Sequence, residues 1–408
     1  MPEHPLAIVV TEVERPHAGL RVAIVTSIHP EFDARIWRYA KLTRTFAETH
    51  LVCPWNRPNG GLVEGIRLHT FRPATSMRTR YRSTSGVLRR LLPILPGVDI
   101  VHFHDPDLLP MMMALAPFRH VVYDVHENYA DEMLIRPWVP EQLRRFLHKS
   151  VVGAHWLASR TIGNIVCVVP DQEEQFRGAK RLMQIRNFAS AERALEAADD
   201  YLSRQPSVIS TASQYPANGT WVLLDIAERL LNSAPNVSVL VVDRFINESF
   251  RNEVMQSIER RSLSNVHLLP NVEPTRIMEQ LNRATIGIST ALNVPKNYKA
   301  LPTKVFEYMA AGIPIVASAH PHIIPVVDGG RCGFCCDPDN PESFVNAIVR
   351  LTEDAYMARA MGVAGKSAFL ERYTWESQRE ALLSFYGQIV KSRRRKHARE
   401  RASAELEG

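Results

Sequence analysis

The chain has 408 residues, of which 45% are apolar, and a formal net charge of +6. This length exceeds what one hydrophobic core usually grows to, so two domains of ordinary size are expected. No apolar run approaches the roughly 20 residues that span a bilayer; Val151 to Pro170 comes closest, carries His155 and Arg160, and is broken at Gly163-Asn164.

The N-terminal stretch 1–20 holds Glu3, Glu12 and Glu14. Its apolar run, Leu6 to Val10, is shorter than a secretory signal needs, which leads us to expect a cytoplasmic protein. Short apolar strands then alternate with helical segments. Val22-Ala23-Ile24-Val25, Leu51-Val52-Cys53, Ile100-Val101-His102-Phe103 and Val121-Val122-Tyr123 read as strands, with helices such as Ala34 to Phe46 and Asp107 to Ala116 between them. The same scheme recurs in Val208 to Ser210, Val237 to Val242, Val266 to Leu269, Ile286 to Ile288 and Ile313 to Ala317. Continuous apolar strands with crossover helices predict buried parallel sheets, hence an α/β protein of two Rossmann-like domains facing each other across a cleft.

The join falls near Ile185-Arg186-Asn187-Phe188, giving domains at 21–187 and 188–372. A last helix follows Tyr373-Thr374-Trp375-Glu376 and reaches about Lys391, leaving a basic tail at 392–408 with no apolar face. The five cysteines (Cys53, Cys167, Cys332, Cys335 and Cys336) are odd in number and concentrated in one segment, so they make no disulfide framework. Cys332-x-x-Cys335 lacks a second ligand pair, and Gly333-Phe334-Cys335-Cys336 reads as a short buried strand, so no metal is expected there.

Between Arg72 and Val98 lie Arg78, Arg80, Arg82, Arg89 and Arg90 with no acidic residue, and leucines are interleaved. Such a segment suits the inner face of an anionic membrane, although a loop leading into an ordinary helix with buried leucines has the same pattern. Few aromatics accompany these arginines beyond Phe71 and Tyr81, and no nucleic-acid motif accompanies them, so nucleic acid is not an expected partner.

The most informative run is Pro302-Thr303-Lys304-Val305-Phe306-Glu307-Tyr308-Met309-Ala310-Ala311-Gly312-Ile313-Pro314-Ile315-Val316-Ala317-Ser318. Thr303 can cap a short helix, Gly312 can end it in the left-handed conformation, and Ile315 onward continues as a strand. Free N–H groups at the helix start, Lys304, and Glu307 one turn on could hold a diphosphate and sugar hydroxyls. Many α/β proteins also contain a capped helix of this kind without a ligand.

This wording closely resembles the signature of family-4 glycosyltransferases of GT-B architecture. Asp33-Ala34-Arg35-Ile36, His102-Phe103-His104-Asp105-Pro106-Asp107 and Tyr123-Asp124-Val125-His126-Glu127 are similar to segments of bacterial members that build exopolysaccharide or lipopolysaccharide. The resemblance covers roughly residues 21–390 and implies an acceptor-binding N-terminal domain, a nucleotide-sugar-binding C-terminal domain, and a final helix, 373–391, that crosses back to the first. It implies a UDP-sugar or GDP-sugar donor held by Glu307 at its ribose, with Thr303, Lys304 and Lys299 beside it. His126, Glu127 and Asp105 would serve the reaction, His104 the acceptor, and a polyprenyl-diphosphate-linked saccharide would receive the sugar. No metal is implied, because GT-B enzymes neutralise the leaving diphosphate with cationic side chains and a helix dipole.

The chain also departs from the family pattern. Lys299 stands where the first glutamate of a Glu-x7-Glu pair is usual, and the diphosphate-binding Arg and Lys fall on Ser213 and Asn218. Replacement charge must come from Lys296, Lys299, Lys304 or Arg244. The reaction is expected to retain configuration, with inversion through Asp105, His126 or Glu127 as base an open alternative. A sugar-nucleotide epimerase and a non-catalytic scaffold of a polysaccharide assembly complex are the other readings.

Overall fold

The computed structural model describes residues 19–29, 33–55, 59–74, 80–125, 128–134, 139–168, 170–273 and 276–391. The N-terminal sheet contains β1 (Arg21–Val25), β2 (Glu48–Pro54), β3 (Leu62–Val63), β4 (Ile66–Phe71), β5 (Ile100–Phe103), β6 (His120–Val125), β7 (Asn164–Cys167) and β8 (Arg181–Gln184). Their order is β3-β4-β2-β1-β5-β6-β7-β8, parallel throughout except for the short β3–β4 pair. Strand β1 is central, and every residue from Val22 to Val25 is fully buried, as a parallel strand covered on both faces should be.

Helices α1 (Ala34–Arg44), α2 (Arg80–Leu91), α3 (Leu109–Leu115), α4 (Tyr129–Glu132) and α5 (Glu141–Thr161) belong to this half. Val87 of α2, Met112 of α3 and Ala158 of α5 pack with Val101 and Val121 on one face. Ile36, Tyr39 and Ala40 of α1 cover the other. Asp33 starts α1 by accepting from the backbone N–H of Arg35 and Ile36, which satisfies two donors that the helix itself leaves open.

The C-terminal sheet contains β9 (Ser207–Ser210), β10 (Ser238–Val242), β11 (Val266–Leu269), β12 (Ile286–Ser289), β13 (Ile315–Ser318) and β14 (Gly333–Cys336) in the order β11-β10-β9-β12-β13-β14, all parallel. Its helices are α6 (Glu192–Leu195), α7 (Thr220–Ser233), α8 (Glu248–Arg260), α9 (Ile277–Leu281), α10 (Pro295–Tyr298), α11 (Thr303–Ala311), α12 (Ile324–Val327), α13 (Pro341–Glu353) and α14 (Ala355–Arg372). The Cys-containing segment is β14, and all five thiols are free; burial pushes those of Cys332 and Cys336 up to about 12.

A last helix, α15 (379–391), returns to the first half. Leu382, Phe385, Tyr386 and Ile389, with Trp375 just before it, share a core with Val22, Ile24 and Trp37. The Tyr386 hydroxyl lies 2.6 Å from Nδ1 of His102 in β5. Among the described residues no helix is long and apolar enough to cross a membrane.

Candidate active site

Helix α11 occupies the run singled out in the sequence. Its start differs from the expected capping: Pro302 is the N-cap residue and offers no side-chain bond, while the Thr303 hydroxyl donates to the Asn187 carbonyl at 3.0 Å. Thr303 therefore fastens α11 to the crossover between domains. Gly312 ends the helix at φ +68°, a left-handed conformation glycine takes without Cβ strain. The Tyr308 hydroxyl donates to Ile288 in β12 and accepts from the Thr211 N–H after β9. A Cβ at Gly287 would meet the Tyr308 ring at 2.4 Å, so the residue opposite must be glycine. Together these contacts set the N-terminus of α11 against the loops that follow β9 and β12.

Glu307 and Lys304 both project from this helix start and are half-buried. Burial outweighs the neighbouring cations and holds the Glu307 carboxyl above its ordinary range, although Arg38, Arg193, Arg244 and Lys304 all oppose this. Burial lowers the Lys304 ammonium to about 8, with Glu307 partly restoring it. The result is a single carboxylate set in a cationic field.

The cations nominated to replace the missing Arg and Lys divide into two groups. Arg244 follows β10, holds Asn271 through Nε at 3.2 Å, and contributes to the field at Glu307, as Lys304 does. Lys299 and Lys296 instead reach the N-terminal half. Lys299 Nζ lies 3.2 Å from Asp131 Oδ2, and Lys296 Nζ lies 2.5 Å from Glu132 Oε1, both acids belonging to α4. Asp131 also accepts from Asn128 at 2.7 Å and meets His148 of α5 at 3.3 Å. Lys299 is thus part of a bridge across the cleft, a partner that its expected place beside the donor diphosphate did not include. Ser213 and Asn218 bond to one another, Asn218 Nδ2 donating to the Ser213 carbonyl at 2.8 Å, and bring no charge.

On the N-terminal side, Asp105 has no exposed surface. Its carboxylate accepts from Thr26 Oγ1 at 2.7 Å and Ser27 N at 2.6 Å and meets His29 Nε2 at 3.1 Å; despite burial, these partners hold it down to about 2. A base must reach the proton it removes. Asp105 instead braces the loop after β1, a correction to its expected catalytic role. His29, which sequence reasoning missed, lies between Asp105 and Asp33 with both ring nitrogens engaged, and is raised to about 10 by these carboxylates although burial opposes the change. A histidine four residues before an N-cap aspartate is the only local signal of this buckle.

His104 is likewise fully buried, so it does not face an acceptor. It stacks on His102 at 4.9 Å and lies 3.3 Å from Asp124, which Arg35 of α1 grips with two bonds of 2.8 and 3.0 Å. His102, His104 and Asp124 bring ligand atoms within 4.8 Å of one another, yet the Arg35 guanidinium already holds the carboxylate where a cation would need it. His126, Glu127 and Arg78 lie outside the described residues. Arg80 begins α2, Arg82 and Arg89 are exposed, and Arg90 donates to the Thr70 carbonyl at 2.8 Å.

Residues 201–368 match the family model for glycosyl transferases group 1. Sucrose synthase 3 of Arabidopsis thaliana is 27% identical over 169 residues, which is 38% of this chain and 21% of that protein. The chain thus spans about a fifth of the length of the sucrose synthases it matches. The fold is similar to sucrose-phosphate synthase from Thermosynechococcus elongatus (TM-score 0.72, 13% identity, 91% of this chain and 100% of that one). It is also similar to Anabaena HepE in complex with UDP and glucose (0.66, 15%, 91% and 99%) and to WaaG, a glycosyltransferase involved in lipopolysaccharide biosynthesis (0.64, 14%, 88% and 98%). Residues 201–368 are thus similar to glycosyl transferases group 1, and the two parallel-sheet domains together have the GT-B fold.

Proposed function

We propose that this protein is a hexosyltransferase that moves a sugar from a nucleotide-diphosphate donor, UDP-linked or GDP-linked, to a saccharide hydroxyl. The observation that carries this reading is Glu307 at the start of α11, a carboxylate in the combined field of Arg38, Arg193, Arg244 and Lys304. Glu307 accepts the ribose hydroxyls, while Lys304, Arg244 and the open N–H groups of α11 meet the diphosphate and stabilise its charge as the sugar departs, without a metal ion. Structural similarity to HepE, solved with UDP and glucose, supports a nucleotide-sugar donor.

The acceptor is proposed to be a polyprenyl-diphosphate-linked saccharide of exopolysaccharide or lipopolysaccharide assembly, met at the inner face of an anionic membrane. Support comes from exposed Arg82 and Arg89 on α2 beside Leu88 and Leu92, which are 43% and 54% exposed. His126 remains the group proposed to contact the transferred sugar and Glu127 the one proposed to orient the acceptor hydroxyl or act as base, both following β6 in the sequence. Incubation with radiolabelled UDP-glucose or GDP-mannose and membranes should give a lipid-extractable labelled saccharide. Donor binding with label only in free sugar-nucleotide isomers would indicate epimerase chemistry instead. The neutral Ser213 and Asn218 favour a second reading, a non-catalytic scaffold, which calorimetry would support if neither UDP nor GDP bound.

A further inference from the structure

Helix α5 is unusual for a helix packed on a core. Of its 21 residues, His155, Ala158 and Ser159 are the buried ones. Large apolar side chains stand in water instead: Leu143 is 49% exposed, Phe146 66%, Trp156 52% and Leu157 44%. Leu143, Phe146, Gly153 and Leu157 succeed one another at separations close to whole turns, so they form one ridge along the outer face. A Cβ at Gly153 would meet nothing within 4 Å, which leaves this ridge open at its centre. Arg145, Lys149 and Arg160 flank it and are exposed, whereas Glu141 at the first turn is the only acid in the helix. Arg160 lies over the Trp156 ring at 4.0 Å.

Helix α5 shares its side of the N-terminal sheet with α2. From β4, beneath α2, to β7, which follows α5, the sheet spans five strand spacings, roughly 24 Å. The ridge is apolar, rimmed by cations and edged by a tryptophan, and it lies on the same side of the sheet as the basic apolar α2. It suits a negatively charged surface with an apolar interior.

We propose that the outer face of α5 is a docking surface for an anionic lipid bilayer: Phe146, Trp156 and Leu157 enter the interface while Arg145, Lys149 and Arg160 meet lipid phosphate. This rests on the membrane association proposed above and extends it to an element that reading does not use. It also places the membrane one contact from the cleft, because His148 of the same helix meets Asp131, the partner of Lys299.

The test uses the full chain and vesicles of phosphatidylglycerol with phosphatidylcholine, or phosphatidylcholine alone. Wild type should sediment with the anionic vesicles, and brominated acyl chains should quench its fluorescence. Phe146→Ser with Leu157→Ser should weaken binding about tenfold at fixed salt, and Trp156→Phe should abolish most of the quenching. Arg82→Gln with Arg89→Gln should weaken binding while leaving the Trp156 quenching per bound molecule unchanged. If wild type binds but the Phe146/Leu157 variant binds equally well, or quenching survives in Trp156→Phe, the α5 surface is refuted and the α2 reading stands. Absence of vesicle binding at low salt refutes both. A lipid-free dimer that the Phe146/Leu157 variant dissolves would assign the ridge to a second copy of the chain and overturn the proposal.

Discussion

The donor contacts proposed for Glu307 and Lys304 differ in a way that substitutions can separate. A carboxylate accepting ribose hydroxyls makes charge-assisted bonds worth about 1.5–3 kcal/mol, so Glu307→Ala should lower transfer roughly ten- to a hundredfold with an unchanged melting temperature. Glu307→Gln, which keeps one acceptor, should fall between. Steady-state kinetics with an unchanged thermal melt would establish this; wild-type activity in the alanine variant would remove the ribose role. Lys304 titrates at about 8, below its ordinary value, because burial disfavours its charge. Above that pH the free enzyme loses the proton that the diphosphate requires, so the donor KM should rise between about pH 7.5 and 9, while kcat at saturating donor changes less. Lys304→Arg should flatten that rise, since a guanidinium keeps its charge. The placement of these two residues, one turn apart at the start of one helix, was legible in the sequence because it is local. The fate of Lys299 was not, since its partner Asp131 lies 168 residues away. The burial of Asp105 and His104 was also hidden: a residue at a strand end can turn into the loop beneath as readily as into the cleft.

Helix packing in the C-terminal half depends on small residues at particular crossings. Gly362 of α14 faces the Gly312 carbonyl at the end of α11, and a Cβ there would stand 2.0 Å from that oxygen. Gly362→Ala must push the two helices apart. The expected cost is about 1–3 kcal/mol, and because α11 carries Glu307 and Lys304, nucleotide affinity should fall with stability. Gly153→Ala, in the interior of α5 on its open face, should instead raise stability by about 0.5–1 kcal/mol and leave nucleotide affinity unchanged. Differential scanning calorimetry with UDP titration compares the two. Strand and helix alternation was readable at this level because parallel strands buried on both faces are continuously apolar, as Val22–Val25 and Ile315–Ala317 are. Helix α2 was read either as a membrane-facing basic segment or as a loop leading into an ordinary helix with buried leucines. Its sequence does not distinguish Val87 and Leu91, which are buried, from Leu88 and Leu92, which are not.

At the scale of the whole molecule, α4 and α10 are joined across the cleft by Lys296–Glu132 and Lys299–Asp131. Ion pairs whose lysines are about one-third exposed contribute up to ~1 kcal/mol each, so together they shift the balance between a closed and an open cleft by up to about thirtyfold. Lys296→Ser with Lys299→Ser should therefore enlarge the radius of gyration in small-angle scattering, with little change in melting temperature. High salt should move wild type in the same direction, and identical curves for variant and wild type would show that the bridge does not hold the cleft.

The crossing of α15 into the first sheet has a further consequence for the order in which the protein comes into being. Strands β1 to β8 leave the ribosome first, but Leu382, Tyr386 and Ile389, which complete the core on the α1 side, emerge about two hundred residues later. At roughly 5–20 residues per second, the earlier half waits on the order of 10–40 s with this apolar surface uncovered. A nascent chain stalled short of α15 should present an exposed face bounded by Ile36, Tyr39 and Ala40, which makes this interval the one in which chaperone protection matters most.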